Sequence, residues 1–218
     1  MTQNASIIYC SSNREKETFE NKIREGILKN CGDVPIISVS QKPIEFGRNI
    51  CVGDVGASGF NFFRQVLIGC EAADTEFIIS AEADCLYPPD YFTFRPERND
   101  VCYWDSNLYV MGHRRDYFFK KEGGATHAQI IGREFYIELL RKLFEGAPQW
   151  CVEEKNFPKE RRHKENVFDV VEHYQTENPV IQIKTGDSMR HYTVSERIPI
   201  YEIPYWGAGK EIYKKYLI

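Results

Sequence analysis

Two carboxylates one residue apart close the apolar run in "FIISAEADCLYPPDY" (Phe77–Tyr91). Glu82 and Asp84 sit immediately past what reads as a buried strand. If the chain stays extended there, a spacing of two puts both side chains on one side. Two hard oxygen donors suit a divalent cation, Mg²⁺ or Mn²⁺, which would in turn neutralise a substrate diphosphate. A solvated acidic turn is the plain alternative. The position raises the first reading, because ligands of open parallel sheets bind outside the carboxyl ends of the strands.

Other polar groups fall at the same edge. Ser11 and Arg14, in "SSNRE", follow the first apolar run, and Ser40, Gln41 and Lys42 follow the second. Hydroxyls and amides for a base and ribose, with cations for phosphates, are what a nucleotide requires. Arg64 and Gln65 fall early in a helix that begins after the glycine-rich "VGDVGASGF". That loop lacks the G-x-G-x-x-G of a dinucleotide site, and the chain has no Walker-type phosphate loop. His191, in the late loop "TGDSMRHYT", is the best placed of five histidines to complete a metal site begun by Glu82 and Asp84. Arg190 beside it is a candidate phosphate contact.

The elements that must position these groups are legible as periodicities. Ser6–Cys10, Val34–Ser40 and Phe77–Ala81 read as β-branched strands. Helical patterns run over Glu15–Leu28 and Asn61–Ala73. The alternation predicts an α/β fold, a mostly parallel sheet with helices on both faces. Further on, "DVCYWDSNLYVMG" suits one or two strands, "HAQIIGREFYIELLRKLF" one amphipathic helix, "NPVIQIK" a late strand and "KEIYKKYLI" a short helix.

The 218 residues suit one domain. A 42% hydrophobic and 28% charged composition is that of a globular chain with a sizeable core. The formal net charge of −4 argues against a protein that coats nucleic acid nonspecifically, and "PKERRHKE" (Pro158–Glu165) reads as a solvated basic tract. Seven cysteines without a C-x-x-C pair point to reduced thiols and a cytoplasmic setting. No apolar run approaches a membrane span, so no membrane partner is expected. The oligomeric state is not readable.

Assembled, these residues resemble a single GT-A (Rossmann-like) glycosyltransferase domain, with Glu82-Ala83-Asp84 similar to that superfamily's D-x-D motif. A closer resemblance is to the phage and metavirus glycosyltransferases associated with TET/JBP dioxygenases, relatives of the base J glucosyltransferase. It is carried by Arg64-Gln65, "AEADCLYPPDYF" (Ala81–Phe92), Arg190-His191 and "PIISVSQKPIEFG" (Pro35–Gly47). Ala83 and Asp90 stand where that family tends to have histidine. The resemblance implies a UDP-sugar donor bound by about residues 1–92, a divalent metal, and an acceptor half over about residues 93–218. It also implies transfer to a hydroxymethylated pyrimidine in DNA, inside a phage-infected host. "GAPQWCVEEKNF" is similar to the segment that supplies a general base, which points to Glu154, then Glu153; Asp105 is a rival. Transfer to a glycan, lipid head group or protein is the alternative within the superfamily. A sugar nucleotidyltransferase or an inactive sugar-nucleotide binder is the alternative outside it.

Overall fold

The structure, a computed structural model, describes residues 4–152, 168, 171–189 and 198–218. Among these, β1 (Ala5–Ser11), α1 (Glu17–Asn30), β2 (Ile36–Ser40), β3 (Arg48–Cys51), α2 (Gly59–Ala72) and β4 (Phe77–Glu82) form the first half. Then follow β5 (Cys85–Leu86), β6 (Cys102–Asp105), β7 (Leu108–Met111), β8 (Phe118–Lys121), β9 (Gln129–Gly132) and α3 (Arg133–Leu143). The remaining elements are β10 (Val171–Tyr174), β11 (Val180–Ile183), β12 (Glu202–Ile203), β13 (Gly207–Ala208) and α4 (Gly209–Leu217).

The central sheet has the order β10-β6-β9-β4-β1-β2-β3. β3, β2, β1 and β4 are parallel, and β9 alone runs against its neighbours β4 and β6. The fold is therefore α/β with a mostly parallel sheet. Alternation along β1 builds both faces. Ile7 and Tyr9 pack with Phe19, Ile23 and Ile27 of α1, four residues apart on one stripe. Ile8 and Cys10 pack with Phe63, Val66, Leu67 and Cys70 of α2 and with Tyr136, Ile137 and Leu140 of α3. A second sheet, β5-β11-β7-β8, stands beside the first and shares the α1-side core.

Three details depart from the sequence expectation. β3 lies in a stretch read only as the approach to the glycine loop. "DVCYWDSNLYVMG" makes two strands in two different sheets. The segment read as one helix from His127 begins instead as β9, with Ile130 and Ile131 in the sheet, and α3 starts only at Arg133. Gly132 explains the break: a Cβ there would fall 1.9 Å from the Asn99 carbonyl oxygen, so the chain passes too close for any side chain. All seven cysteines are free, five of them buried. Among the described residues no helix is long and apolar enough to cross a membrane.

Candidate functional site

Strand order reverses direction at β1: β2 and β3 extend the sheet one way, and β4 lies on the other side. At such a switch point the loops leaving two adjacent strands separate and open a crevice. The crevice is present. Ser11, Ser12 and Arg14 after β1, Glu82, Ala83 and Asp84 at the end of β4, and Ser58, Asn61 and Gln65 of α2 line it. Asp187, Ser188 and Met189, from the loop after β11, close the remaining side.

Its walls are fastened by buried amides. The Gln65 Nε2 group donates to the carbonyls of Ser11 (3.0 Å) and Val39 (2.9 Å), tying α2 to the ends of two strands. Asn61 Nδ2 donates to the carbonyls of Val55 and Gly56 in the glycine loop, and Asn61 Oδ1 accepts from the Cys151 N–H at 2.8 Å. Ser58 caps α2 by accepting from the Asn61 N–H, and its hydroxyl donates to the Cys151 carbonyl at 2.6 Å. The N-terminus of α2 thus points its dipole at the crevice, a favourable place for an anion. Gly56 has φ +75°, and a Cβ on it would fall 2.3 Å from Val152 Cγ1. The segment that ends at Val152 is therefore laid against the glycine loop.

Of the expected donor contacts, Ser11, Arg14 and Gln65 line the crevice. The Ser11 hydroxyl donates to the Glu20 carboxylate (2.9 Å) and accepts from the Asn13 N–H, so it braces the loop after β1. Ser40, Gln41, Lys42 and Arg64 are not among the lining residues. Ser40 donates its hydroxyl to the Lys42 carbonyl. Gln41 is buried; its amide holds the glycine loop through the Gly56 carbonyl and the Val55 N–H. The Lys42 N–H, like that of Gln41, donates to Asn13 Oδ1. Arg64 lies with its guanidinium 3.8 Å from the centre of the Phe144 ring and donates to the Pro148 and Gln149 carbonyls. It sits off the stripe of α2 that carries Asn61 and Gln65. Arg64 and Gln41 thus bond to neighbouring backbone and do not line the crevice.

Asp105 is fully buried and likewise not a lining residue. Oδ2 accepts from the Thr176 hydroxyl at 2.6 Å, and Oδ1 accepts from the N–H groups of Asn107 and Thr176. Burial raises its carboxyl, and these hydrogen bonds offset part of that rise. The group fastens the turns after β6 and β10 through these internal bonds. Asp90 does similar work, accepting from the N–H and the side-chain amide of Asn178. Glu153, Glu154, Arg190 and His191 lie outside the described residues.

The acid pair does not share one extended face. β4 ends at Glu82, the chain turns through Ala83-Asp84, and β5 pairs antiparallel with β11, Cys85 opposite Gln182. That pairing carries Asp84 onto two donors the sequence reading did not single out. Lys184 Nζ is 3.0 Å from Asp84 Oδ2, and Gln182 Nε2 is 3.2 Å from the same oxygen. The Cys85 thiol donates to Oδ1 at 3.3 Å. Burial pushes the Asp84 carboxyl up, but the Lys184 ammonium and His127 outweigh it and hold the group below the ordinary aspartate range. Lys184 is buried too, which alone would lower it; Asp84 overrides that and raises it. A carboxylate with its oxygens so committed is a poor ligand for a divalent cation. Among the described residues no three His, Cys, Asp or Glu side chains converge to hold a metal. Of the expected ligands, Asp84 is thus already paired with a cation and does not fit a metal as it stands, and His191 lies outside the described residues.

Glu15, also unanticipated, stands in the wall between the crevice and a cavity of about 350 Å³ beside α1 and α4. It accepts from the hydroxyls of Thr185 and Ser188. Lys184 had one legible signal, a lone cation ending an apolar strand. Asn61 and Ser58 had another, an N-cap three residues before an amide. Glu15 and Asp187 had none.

No family model matches the chain, and no curated protein matches it in sequence. Solved structures do align with it. A glycosyltransferase involved in glycosylation of the major capsid of PBCV-1 aligns with a TM-score of 0.46 and 12% identity, over 82% of this chain and 92% of that one. The glycosyltransferase GlyE of Streptococcus pneumoniae TIGR4 gives 0.49 and 10%, over 80% and 45%. S. aureus TarS 1–349 in complex with UDP-GlcNAc gives 0.48 and 9%, over 86% and 60%. The chain thus spans 45% to 60% of the last two structures. Likeness at this level carries no functional argument. Function has to be argued from the crevice itself.

Proposed function

We propose that the protein is a glycosyltransferase that takes a sugar from a nucleoside diphosphate donor held in the crevice between β1 and β4. The observation that carries the reading is the placement of polar strand ends and the α2 N-terminus around one crevice at the sheet's switch point. Carbonyls, amides and hydroxyls line its depth, where a base and ribose need hydrogen bonds. The α2 dipole and Arg14 are available to the phosphates.

In the reaction an acceptor hydroxyl oxygen bonds to the anomeric carbon as the bond from that carbon to the diphosphate oxygen breaks. The leaving group takes the electron pair and develops negative charge, and stabilising that charge is the larger electrostatic task. With inversion, the acceptor's proton passes to a general base. The sequence resemblance points to Glu154, then Glu153, for that role; the rival, Asp105, has its carboxylate bonded to Thr176 and Asn107. Arg190 is the sequence's further phosphate contact, and His191 its expected third metal ligand.

For the acceptor we propose the hydroxyl of hydroxymethylcytosine in DNA, on the strength of the sequence resemblance. Ala83 lines the crevice where that family tends to place histidine, so acceptor contacts here must differ from the family's.

The test is UDP release from UDP-glucose and UDP-N-acetylglucosamine, with and without duplex DNA containing hydroxymethylcytosine. DNA-stimulated release supports donor and acceptor together. Release that ignores the DNA keeps the transferase and discards the acceptor. No release and no donor binding would sink the reading.

A further inference from the structure

The expected cation partner of Asp84 is a metal; the partner the structure supplies is Lys184. Resting on the donor reading above, we propose that Asp84 is a positioning partner for an internal cation, Lys184, and that the site binds its donor without a divalent metal.

Asp84 lines the crevice, and its side chain is only 15% exposed. Behind it the Lys184 side chain is 8% exposed, with its ammonium 3.0 Å from Oδ2. Gln182 Nε2 shares that oxygen, and the Cys85 thiol takes the other. Register fixes all three donors: Gln182 of β11 pairs opposite Cys85 of β5, and Lys184 follows one residue past the end of β11. The Lys184 N–H is itself tied to the Met111 carbonyl, so its backbone cannot drift. A divalent ion on Asp84 would have to displace the ammonium and bring its charge close to it. The two cations compete for one carboxylate.

The crevice needs such a cation. Among the described residues, Glu15, Glu20, Glu82, Asp84 and Asp187 line it with Arg14 as their one cation. Glu20 is answered by Arg24 at 3.1 Å, and Asp84 by Lys184. Without Lys184, Asp84 would face an incoming diphosphate as an uncompensated buried carboxylate, which repels an anion strongly. With it, the Asp84 carboxylate is compensated.

The experiment has two arms. In the first, Mn²⁺ uptake is read by electron paramagnetic resonance on the full chain, without donor, for the wild type, Asp84→Asn and Lys184→Met. The wild type should show no site that Asp84→Asn removes, and Lys184→Met should gain one. In the second, UDP binding is measured by calorimetry in EDTA and in Mn²⁺. Wild type and Lys184→Arg should change less than about twofold between the two conditions, whereas Lys184→Met should weaken about tenfold or more in EDTA and recover with Mn²⁺. A wild-type Mn²⁺ site lost in Asp84→Asn, or UDP binding that requires Mn²⁺, overturns the inference. If UDP binds under neither condition, the donor reading fails, and the Mn²⁺ arm still decides the role of Asp84. Should Lys184→Met not fold, the wild-type and Asp84→Asn measurements decide it alone.

Discussion

The Nε2 group of Gln65 donates to the carbonyl of Ser11 at 3.0 Å, so one helix amide closes the end of the strand that opens the crevice. The same nitrogen reaches the Val39 carbonyl at 2.9 Å, and the side chain is fully enclosed. Gln65→Leu keeps the volume but removes two buried hydrogen bonds. Each is worth about 0.5–1.5 kcal/mol, so the variant should lose about 1–3 kcal/mol by urea denaturation. A loss below about 0.5 kcal/mol, the level of an ordinary surface change, would show that these bonds do not hold the site together.

Arg64 was read from sequence as a donor contact, and its position off the crevice-lining stripe of α2 makes it a staple. Its guanidinium stacks on Phe144 and grips two carbonyls of the segment leading to Cys151. Arg64→Ala is expected to lower the melting temperature by several degrees, from roughly 1–2 kcal/mol of lost packing and hydrogen bonding, and to leave UDP affinity within about twofold. A large loss of UDP affinity at unchanged melting temperature would return Arg64 to the binding site.

Glu15 sets a pH dependence. Burial raises its carboxyl; the Thr185 hydrogen bond offsets part of this, and Asp84 and Asp187 add to it. The folded chain therefore holds this proton to higher pH than the unfolded chain does. Its contribution to stability is greatest at and below the unfolded glutamate value of about 4.3, and is lost as pH rises through the folded value. Glu15→Gln removes that loss, so its stability relative to wild type should improve from about pH 4 to pH 7. A difference that is flat over this range would contradict the assignment.

The parallel half of the fold was open to reading because its strands are short β-branched runs and its helices repeat apolar residues every three or four positions. Ile7, Ile8, Phe19 and Val66 each carry that signal. The antiparallel strand β9 did not, since Ile130 and Ile131 continue the apolar spacing of α3 in register; only the crowding of Gly132 against Asn99 separates the two. Site residues placed by strand ends were partly legible. Ser11, Arg14, Glu82 and Asp84 do meet in one crevice, as proximity to strand termini suggested. What Asp84 binds was not legible, because its partners lie 98 and 100 residues away and depend on the pairing of β5 with β11. A local E-x-D reads as a metal pair until a distant lysine is folded against it. The same holds for Asp105: its bond to Thr176 spans 71 residues, and without it a carboxylate at a strand end reads as a base.

The central claim is that the switch-point crevice holds a nucleoside diphosphate, and a crystal soaked with UDP tests it most directly. Density for the nucleotide is expected at the carboxyl ends of β1 and β4, with the diphosphate near the N-terminus of α2 and the Ser11–Arg14 loop. An empty crevice at saturating UDP, or nucleotide bound instead in the cavity beside α1 and α4, would contradict it.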